Sequence, residues 1–415
     1  MLRPPSPQTL PQAPHPTGEP GAKPRGSVAT PRAVRATDRG LTRCAQPALT
    51  ARKISTYTVL GFIGYVVASL TASGLAVAWD LTLGERLIGL LVPPIAFLLA
   101  VTLASAAAGR ERIVFYQAAI PAVIAAAMVS SLAGVRVTRA IDLATLGIGT
   151  FLVFGRIGCF AVACCHGVLG GGRAGVSYGS AHVRAGFWAR WQGRPVWPVQ
   201  LIESAASAAL VIAGALGSST PGTAAAIYIV GYGAVRFALE IVRGDAARPY
   251  VRGVSEAQWL ALATVAACAV WRPQPIAIAI AAALAAATAA LVVRARRREL
   301  FLPPHLHELD RVVSRVLADP GHARRETSRG IAMSCYAMPD GRLDWVLSSR
   351  HRAWSVAAAR RLATALWRDH AIVEGRAAGI VHVLVPHGAP PAPPVAPAPV
   401  ASIAVLEDED DLRLN

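Results

Sequence analysis

The segment Gly155-Arg156-Ile157-Gly158-Cys159-Phe160-Ala161-Val162-Ala163-Cys164-Cys165-His166-Gly167 sets an arginine, three cysteines and a histidine at the end of an apolar run that begins after Asp142. Hydrocarbon solvates charge poorly, so an ionisable side chain in such a run points to a functional site. Arg156 carries a permanently charged, planar fork that suits a phosphate; its structural alternative is an arginine snorkelling from a helix end to the interface. A second cluster follows in Arg236, Glu240 and Arg243, whose spacing puts all three on one face of a helix. Two cations around one carboxylate leave positive charge for an anion, the alternative being an intrahelical pair at a membrane boundary. Glu203, near the start of another apolar segment, is placed to orient one of these arginines or to accept a proton. Tyr57 and Tyr116 can donate hydrogen bonds from the apolar region or anchor spans at the interface. The chemistry these residues suit is the handling of an anionic lipid at a polar site near one membrane face.

The cysteines beside Arg156 invite a metal or redox reading. Their spacing, with His166, matches neither usual zinc pattern, and adjacent cysteines are badly placed to bridge each other. They are therefore read as small packing residues, with no metal ligand and no cofactor assigned. The other cysteines are scattered and imply no disulfide framework.

The elements that must position these residues are apolar helices. Of the 415 residues, 54% are hydrophobic and 16% charged, and apolar runs long enough to cross a bilayer recur. The fold class is an all-α polytopic membrane protein with seven or eight transmembrane helices and a small C-terminal α+β soluble domain. Spans are expected over about residues 57–79, 87–108 (kinked at Pro93-Pro94), 113–135, a fourth that opens at Asp142, a fifth from Pro198 and a sixth over 222–242. Ser255–Val270 is apolar but short, and an Ala-rich run to about Val293 follows it. Residues 168–197, rich in Arg and Trp, suit the membrane–water interface. The net charge of +17 comes mainly from arginine; without a recognition motif it suits anionic headgroups or topology control, and no nucleic-acid partner is expected.

Four regions result: 1–54, a disordered basic tail without a signal-peptide apolar core; 55–298, the membrane domain; 300–387, a small α+β domain; and 388–415, a Pro-rich linker with an acidic tail. Within 300–387 the pattern predicts a helix at 305–317, a hairpin of 330–336 with 343–349 turning at Pro339-Asp340-Gly341, a helix at 354–368 and a strand at 380–385.

Several motifs in order resemble one family. Gly155-Arg156-Ile157-Gly158-Cys159-Phe160 resembles the Gly-Arg-Ile-Gly-Asn-Phe signature of prolipoprotein diacylglyceryl transferases, and Asp142 stands where that family has an aspartate. Trp197-Pro198-Val199-Gln200-Leu201-Ile202-Glu203 is similar to its His-Pro-Val-Gln-Leu-Tyr-Glu. Tyr232-Gly233-Ala234-Val235-Arg236-Phe237 with Glu240, Arg243 and Asp245 resembles its Tyr-Gly-x-x-Arg-Phe-x-x-Glu-x-x-Arg segment, and Ser255-Glu256-Ala257-Gln258-Trp259-Leu260 its Ser-x-x-Gln-Trp-Leu. The resemblance spans roughly residues 57–262. It implies a multi-pass enzyme of the bacterial inner (plasma) membrane that moves the diacylglyceryl group of phosphatidylglycerol to the lipobox cysteine of a prelipoprotein signal segment. Arg156, Arg236 and Glu240 would be catalytic, the arginines holding the phosphate and Glu240 orienting Arg236; Tyr57, Tyr116, Glu203 and Arg243 would line the substrate. It also implies an outside N-terminus and site, whereas the arginine-rich start and the 173–194 loop favour the reverse by the positive-inside rule. The chain departs from the family where His-Gly-Gly is replaced by Tyr116-Gln117-Ala118, at Cys159 for asparagine, at Cys164 for an acidic residue and at Trp197 for histidine. A divergent paralogue that binds anionic lipid, or serves another acceptor, with a partner-recruiting soluble domain, is the alternative.

Overall fold

The computed structural model describes residues 45, 48–49, 54–109, 114–321 and 323–386. The Arg110-Glu111-Arg112 turn, most of the N-terminal basic segment and the Pro-rich and acidic C-terminal segment lie outside the described residues. Within the stretch expected to lack structure, Ala48–Leu49 pairs antiparallel with Ile54–Ser55, and the Ala45 carbonyl lies 2.8 Å from His182 Nε2.

Eight apolar helices follow: α1 (Thr56–Ala78), α2 (Leu83–Ala108), α3 (Phe115–Leu132), α4 (Val137–Ala161), α5 (Val199–Leu216), α6 (Thr223–Leu239), α7 (Glu256–Trp271) and α8 (Pro275–Val293). Six are long and apolar enough to cross a membrane, while α6 and α7, at 17 and 16 residues, are shorter. The chain is thus a polytopic helical membrane protein. α2 runs as one helix through Pro93-Pro94. It begins at a capping box in which Thr82 and Glu85 satisfy each other's backbone N–H groups.

The centre of the bundle is α4, which packs against α1, α2, α3, α5 and α6 and has 61% of its apolar window buried, against 11% for α2. Small residues allow this approach. A Cβ on Gly149 would lie 2.5 Å from the Tyr228 ring of α6, and one on Gly158 3.0 Å from the Tyr57 ring of α1.

Successive helices alternate in direction, so the start of α1, the end of α4, the start of α5, the end of α6, the start of α7 and the end of α8 share one face. Backbone bonds tie the connections there: Gly167 N donates to Trp197 O (3.0 Å), Val168 N to Val242 O (2.8 Å) and Gly244 N to His166 O (2.9 Å). On the opposite face Glu85 pairs with Arg136 at 2.6 Å, and Arg139 lies over the Trp79 ring. There the buried Asp142 carboxylate accepts from the N–H groups of Gly222 (2.7 Å) and Ala225 (2.8 Å). Asp142 therefore caps α6 from α4 rather than opening its own helix, which begins at Val137.

The C-terminal unit is an antiparallel sheet of order β4-β5-β3-β2-β1: β1 (Arg325–Glu326), β2 (Ile331–Ala337), β3 (Leu343–Ser349), β4 (Ala371–Glu374) and β5 (Ile380–Val385). α9 (Pro303–Leu317) and α10 (Val356–Leu366) cover one face. The alternating residues Ile331, Met333, Cys335, Trp345, Leu347 and Val383 are fully buried on that face. Gly341, in the turn of the β2–β3 hairpin, has φ +80°, which favours glycine.

This unit shares an apolar core with the 168–197 loop. Phe187, Trp188 and Trp191, expected at the membrane–water interface, are instead 1%, 6% and 1% exposed beneath the C-terminal unit. Trp188 Nε1 donates to Asp310 at 2.6 Å, and Arg190 pairs with the same carboxylate. The last carbonyls of α10 receive the remaining donors: Arg194 reaches Thr364 O (2.6 Å), Trp191 Ala365 O (3.1 Å) and Arg190 Leu366 O (2.9 Å). Cations at a helix C-terminus satisfy orphan carbonyls and oppose the helix dipole. Aromatic and arginine side chains suit a bilayer interface and a protein interface alike, which is why the loop's composition does not distinguish them.

Candidate functional site

Glu203, one turn into α5, is 1% exposed and forms the hub of a buried charge network. Its carboxylate lies 3.0 Å from Arg156 Nε of α4 and 3.3 Å from Arg236 Nη1 of α6, and accepts from the Tyr232 hydroxyl at 2.7 Å. Arg236 Nη2 lies 2.6 Å from Glu240. Glu240 also pairs with Arg248 and stands 3.6 Å from Arg243, which in turn reaches Asp245 at 3.1 Å. α6 ends at Leu239, so Glu240 is its C-cap and Arg243 lies beyond the helix; the expected single helical face holds for Arg236 and Glu240 only. Four guanidinium groups, of Arg156, Arg236, Arg243 and Arg248, thus face three carboxylates, of Glu203, Glu240 and Asp245. The balance is one positive charge in a desolvated place, where an anion is attracted more strongly than in water. Arg236 Nε and Arg243 Nη1 are buried and have no hydrogen-bond partner among the described residues, which leaves donors for such an anion.

The loop residues of this face are held by the same motifs. Gln200 Nε2 donates to Cys164 O at 2.8 Å. Ser255 and Gln258 form a capping box at the start of α7, and Gln258 Nε2 donates to Phe237 O at 3.3 Å, fixing the last turns of α6. His166 packs edge-on against Phe187 and Trp191, and its burial lowers its pKa, which disfavours the charged ring. Burial pushes the Asp245 carboxyl up, and Arg243 opposes this.

The structure brings Arg156, Glu203, Arg236, Glu240 and Arg243 together. Tyr116 is buried next to the network in an aromatic group with Phe115 and Tyr232, at centroid distances of 5.7 and 6.1 Å. Tyr57 is half-buried and packs over Gly158, two residues beyond Arg156 on α4. The sequence shows Tyr232 and Asp245 as members of the Tyr232–Asp245 motif without pointing to a site role for either, and it does not single out Arg248 at all. Tyr232 sits one helical turn before Arg236 and was discoverable from that spacing. Arg248 lies in an irregular loop, where no periodicity points to a partner.

Below Tyr57 and Arg156, an apolar cleft of about 490 Å³ opens between α1, α2 and α4, lined in part by Gly61, Tyr65, Pro93, Gly147 and Phe151. Phe151 precedes Arg156 by five residues, so the cleft ends about 7.5 Å from the arginine along α4 and on the α1–α2 side of that helix, whereas Arg156 turns toward α5.

The cysteines are also closer than their spacing suggested. The sulfurs of Cys159, Cys164 and Cys165 lie within 4.8 Å of one another. Ala163 (φ +60°) and Cys165 (φ +55°) adopt the left-handed region, which folds the chain back on the end of α4.

Fold and site together define a multi-pass membrane protein with a buried cationic centre near one end of its helices. The model of the family described as prolipoprotein diacylglyceryl transferase matches residues 49–272, and the chain belongs to that family. Its members are membrane transferases of lipoprotein biosynthesis, acting on lipid and lipoprotein substrates. The match takes in α1 to α7 and leaves α8 and the C-terminal unit outside. No curated protein matches the chain.

Proposed function

We propose that this chain transfers the diacylglyceryl group of phosphatidylglycerol to the lipobox cysteine of prolipoproteins in the inner (plasma) membrane. The observation that carries the reading is the convergence of Arg156 and Arg236 on Glu203, at 3.0 and 3.3 Å, in a buried centre with a net positive charge; an apolar cleft lies farther along α4, on its α1–α2 side. Acyl chains occupy the cleft and the headgroup phosphate meets the arginines. As the glyceryl C–O bond breaks, negative charge grows on the departing glycerol phosphate, and preorganised guanidinium groups stabilise it. Glu240 holds Arg236 in place, Arg243 adds positive charge, and Tyr57 and Tyr116 border the lipid. The nucleophile is the acceptor's own cysteine thiolate, which forms the new C–S bond.

Complementation of a strain depleted of its own transferase tests this. Growth supports the reading, and Arg156→Ala or Arg236→Ala then abolishes both growth and in vitro transfer from phosphatidylglycerol. Retained transfer in both variants sinks the assignment.

One observation favours the second reading, a lipid-binding paralogue without this activity. Where the family has His-Gly-Gly, Tyr116 is packed among aromatic rings and Gln117 Nε2 is committed to Glu256 at 2.6 Å, so neither supplies an obvious base. A well-expressed chain that fails to complement, yet binds anionic vesicles, supports the paralogue.

A further inference from the structure

We infer that Cys159, Cys164 and Cys165 form a three-thiolate site for one soft d10 metal ion of the zinc class, with a fourth position open for the acceptor thiol. The role at the fourth position rests on the transferase reading; the metal site does not.

The three sulfurs fit within a 4.8 Å sphere of mutual distances. Zinc–thiolate bonds of about 2.3 Å place sulfurs of one tetrahedron just under 4 Å apart, so small side-chain rotations bring all three onto one ion. The turn that gathers them is built rather than incidental. It holds two non-glycine residues, Ala163 and Cys165, in the left-handed region, and a buried glutamine from α5 grips it at the Cys164 carbonyl. Such conformations persist only where the surroundings enforce them.

Access follows from exposure: Cys159 is buried, Cys165 half-buried and Cys164 exposed. An ion held by the three would be covered on the protein side and open on the Cys164 side. Structural zinc sites close with four protein ligands, whereas sites with three keep a position for water or substrate. Each protein thiol releases its proton to solvent as its bond to the metal forms, and a thiol bound at the open position is deprotonated likewise. This supplies the acceptor thiolate in a chain whose Tyr116 and Gln117 offer no base.

The test uses the full chain, purified in detergent under a phosphine reductant and loaded with Co(II) as a spectroscopic substitute for Zn(II). One Co(II) per chain is expected, with thiolate-to-metal charge-transfer bands that Zn(II) displaces. The bands persist in Cys44→Ser/Cys268→Ser/Cys335→Ser and vanish in Cys159→Ser/Cys164→Ser. Gln200→Ala, which keeps all three thiols but frees the turn, weakens Zn(II) binding by about 10–100-fold, the range for loss of a supporting partner. Adding a lipobox-type peptide increases the charge-transfer intensity, and the same peptide with serine for cysteine does not.

No Co(II) uptake by the reduced chain, or uptake that survives in Cys159→Ser/Cys164→Ser, overturns the site. Bands indifferent to the cysteine peptide overturn the open position. All these readouts are independent of lipid transfer, so they separate from the Arg156→Ala and Arg236→Ala results that decide the transferase reading.

Discussion

Glu203 is the residue on which the charge network depends, because among the described residues it is the carboxylate that Arg156 and Arg236 share. Removing one member of a buried ion pair leaves uncompensated charge and costs about 3–5 kcal/mol. Glu203→Ala is therefore expected to lower the thermal inactivation midpoint markedly and to abolish transfer, whereas Arg248→Ala, at the 12%-exposed rim, has a smaller effect on the midpoint. Thermal inactivation of the two detergent-purified variants checks the ranking; equal stabilities would show that Glu203 is not the hub.

At the scale of elements, α4 serves both faces of the bundle. Its Asp142 lies 14 residues before Arg156, about 21 Å away along the helix, so it cannot touch the same substrate group. Asp142→Ala orphans two buried N–H groups at the start of α6, at about 1–3 kcal/mol each. The expected outcome is a less stable protein whose KM for lipid is unchanged, measured by thermal inactivation beside steady-state kinetics. The contact between the 168–197 loop and the C-terminal unit has its own pH dependence. His307 stacks on Trp188 at 4.1 Å, and burial, reinforced by nearby His166 and Arg311 and opposed by Asp310, lowers its pKa to about 4. His305, with Nδ1 2.8 Å from Leu300 O, is shifted in the same direction. Because the folded value lies below the unfolded one, the contact has full strength above about pH 6.5 and loses it as pH falls toward 4. The downward shift from 6.5 to about 4 caps the loss from His307 near 3 kcal/mol. Limited proteolysis of the C-terminal unit between pH 7.5 and 4 measures it, and His307→Leu should flatten the profile.

For the molecule as a whole, the shared core of the loop and the C-terminal unit constrains topology. Residues 168–197 and everything after α8 must lie on one side of the membrane, which an even number of crossings between them requires. Four helices, α5 to α8, intervene, and α5 and α8 are long enough to cross, so short α6 and α7 must cross as a pair or not at all. Reporters fused after Gly172 and after Arg298 are expected to give the same side; the family resemblance implies the outside, the positive-inside rule the inside, and the signal decides between them. Opposite signals would mean that one of the four helices does not span. The C-terminal unit lies beyond the family match yet covers the loop next to the site, so its removal is a change at the site's margin rather than loss of a distant appendage.

Local patterns made much of this legible. Hydropathy over about 20 residues marked the spans, and alternation in 331–337 and 343–349 marked the hairpin, because each depends on neighbours within one element. Arg156, Glu203, Arg236 and Glu240 stood out because charge inside apolar sequence is costly wherever the chain folds. Which of these groups meet was decided by the packing of α4, α5 and α6, since Arg156 and Glu203 are 47 residues apart and no periodicity couples them. The same holds for the cysteines. Their spacing argued against a shared ligand, and the left-handed turn at Ala163 and Cys165, held by Gln200, is what brings their sulfurs together. The tryptophans of the 168–197 loop had a composition fit for lipid or protein, and only the tertiary structure assigned them to the α9–α10 side of the C-terminal unit.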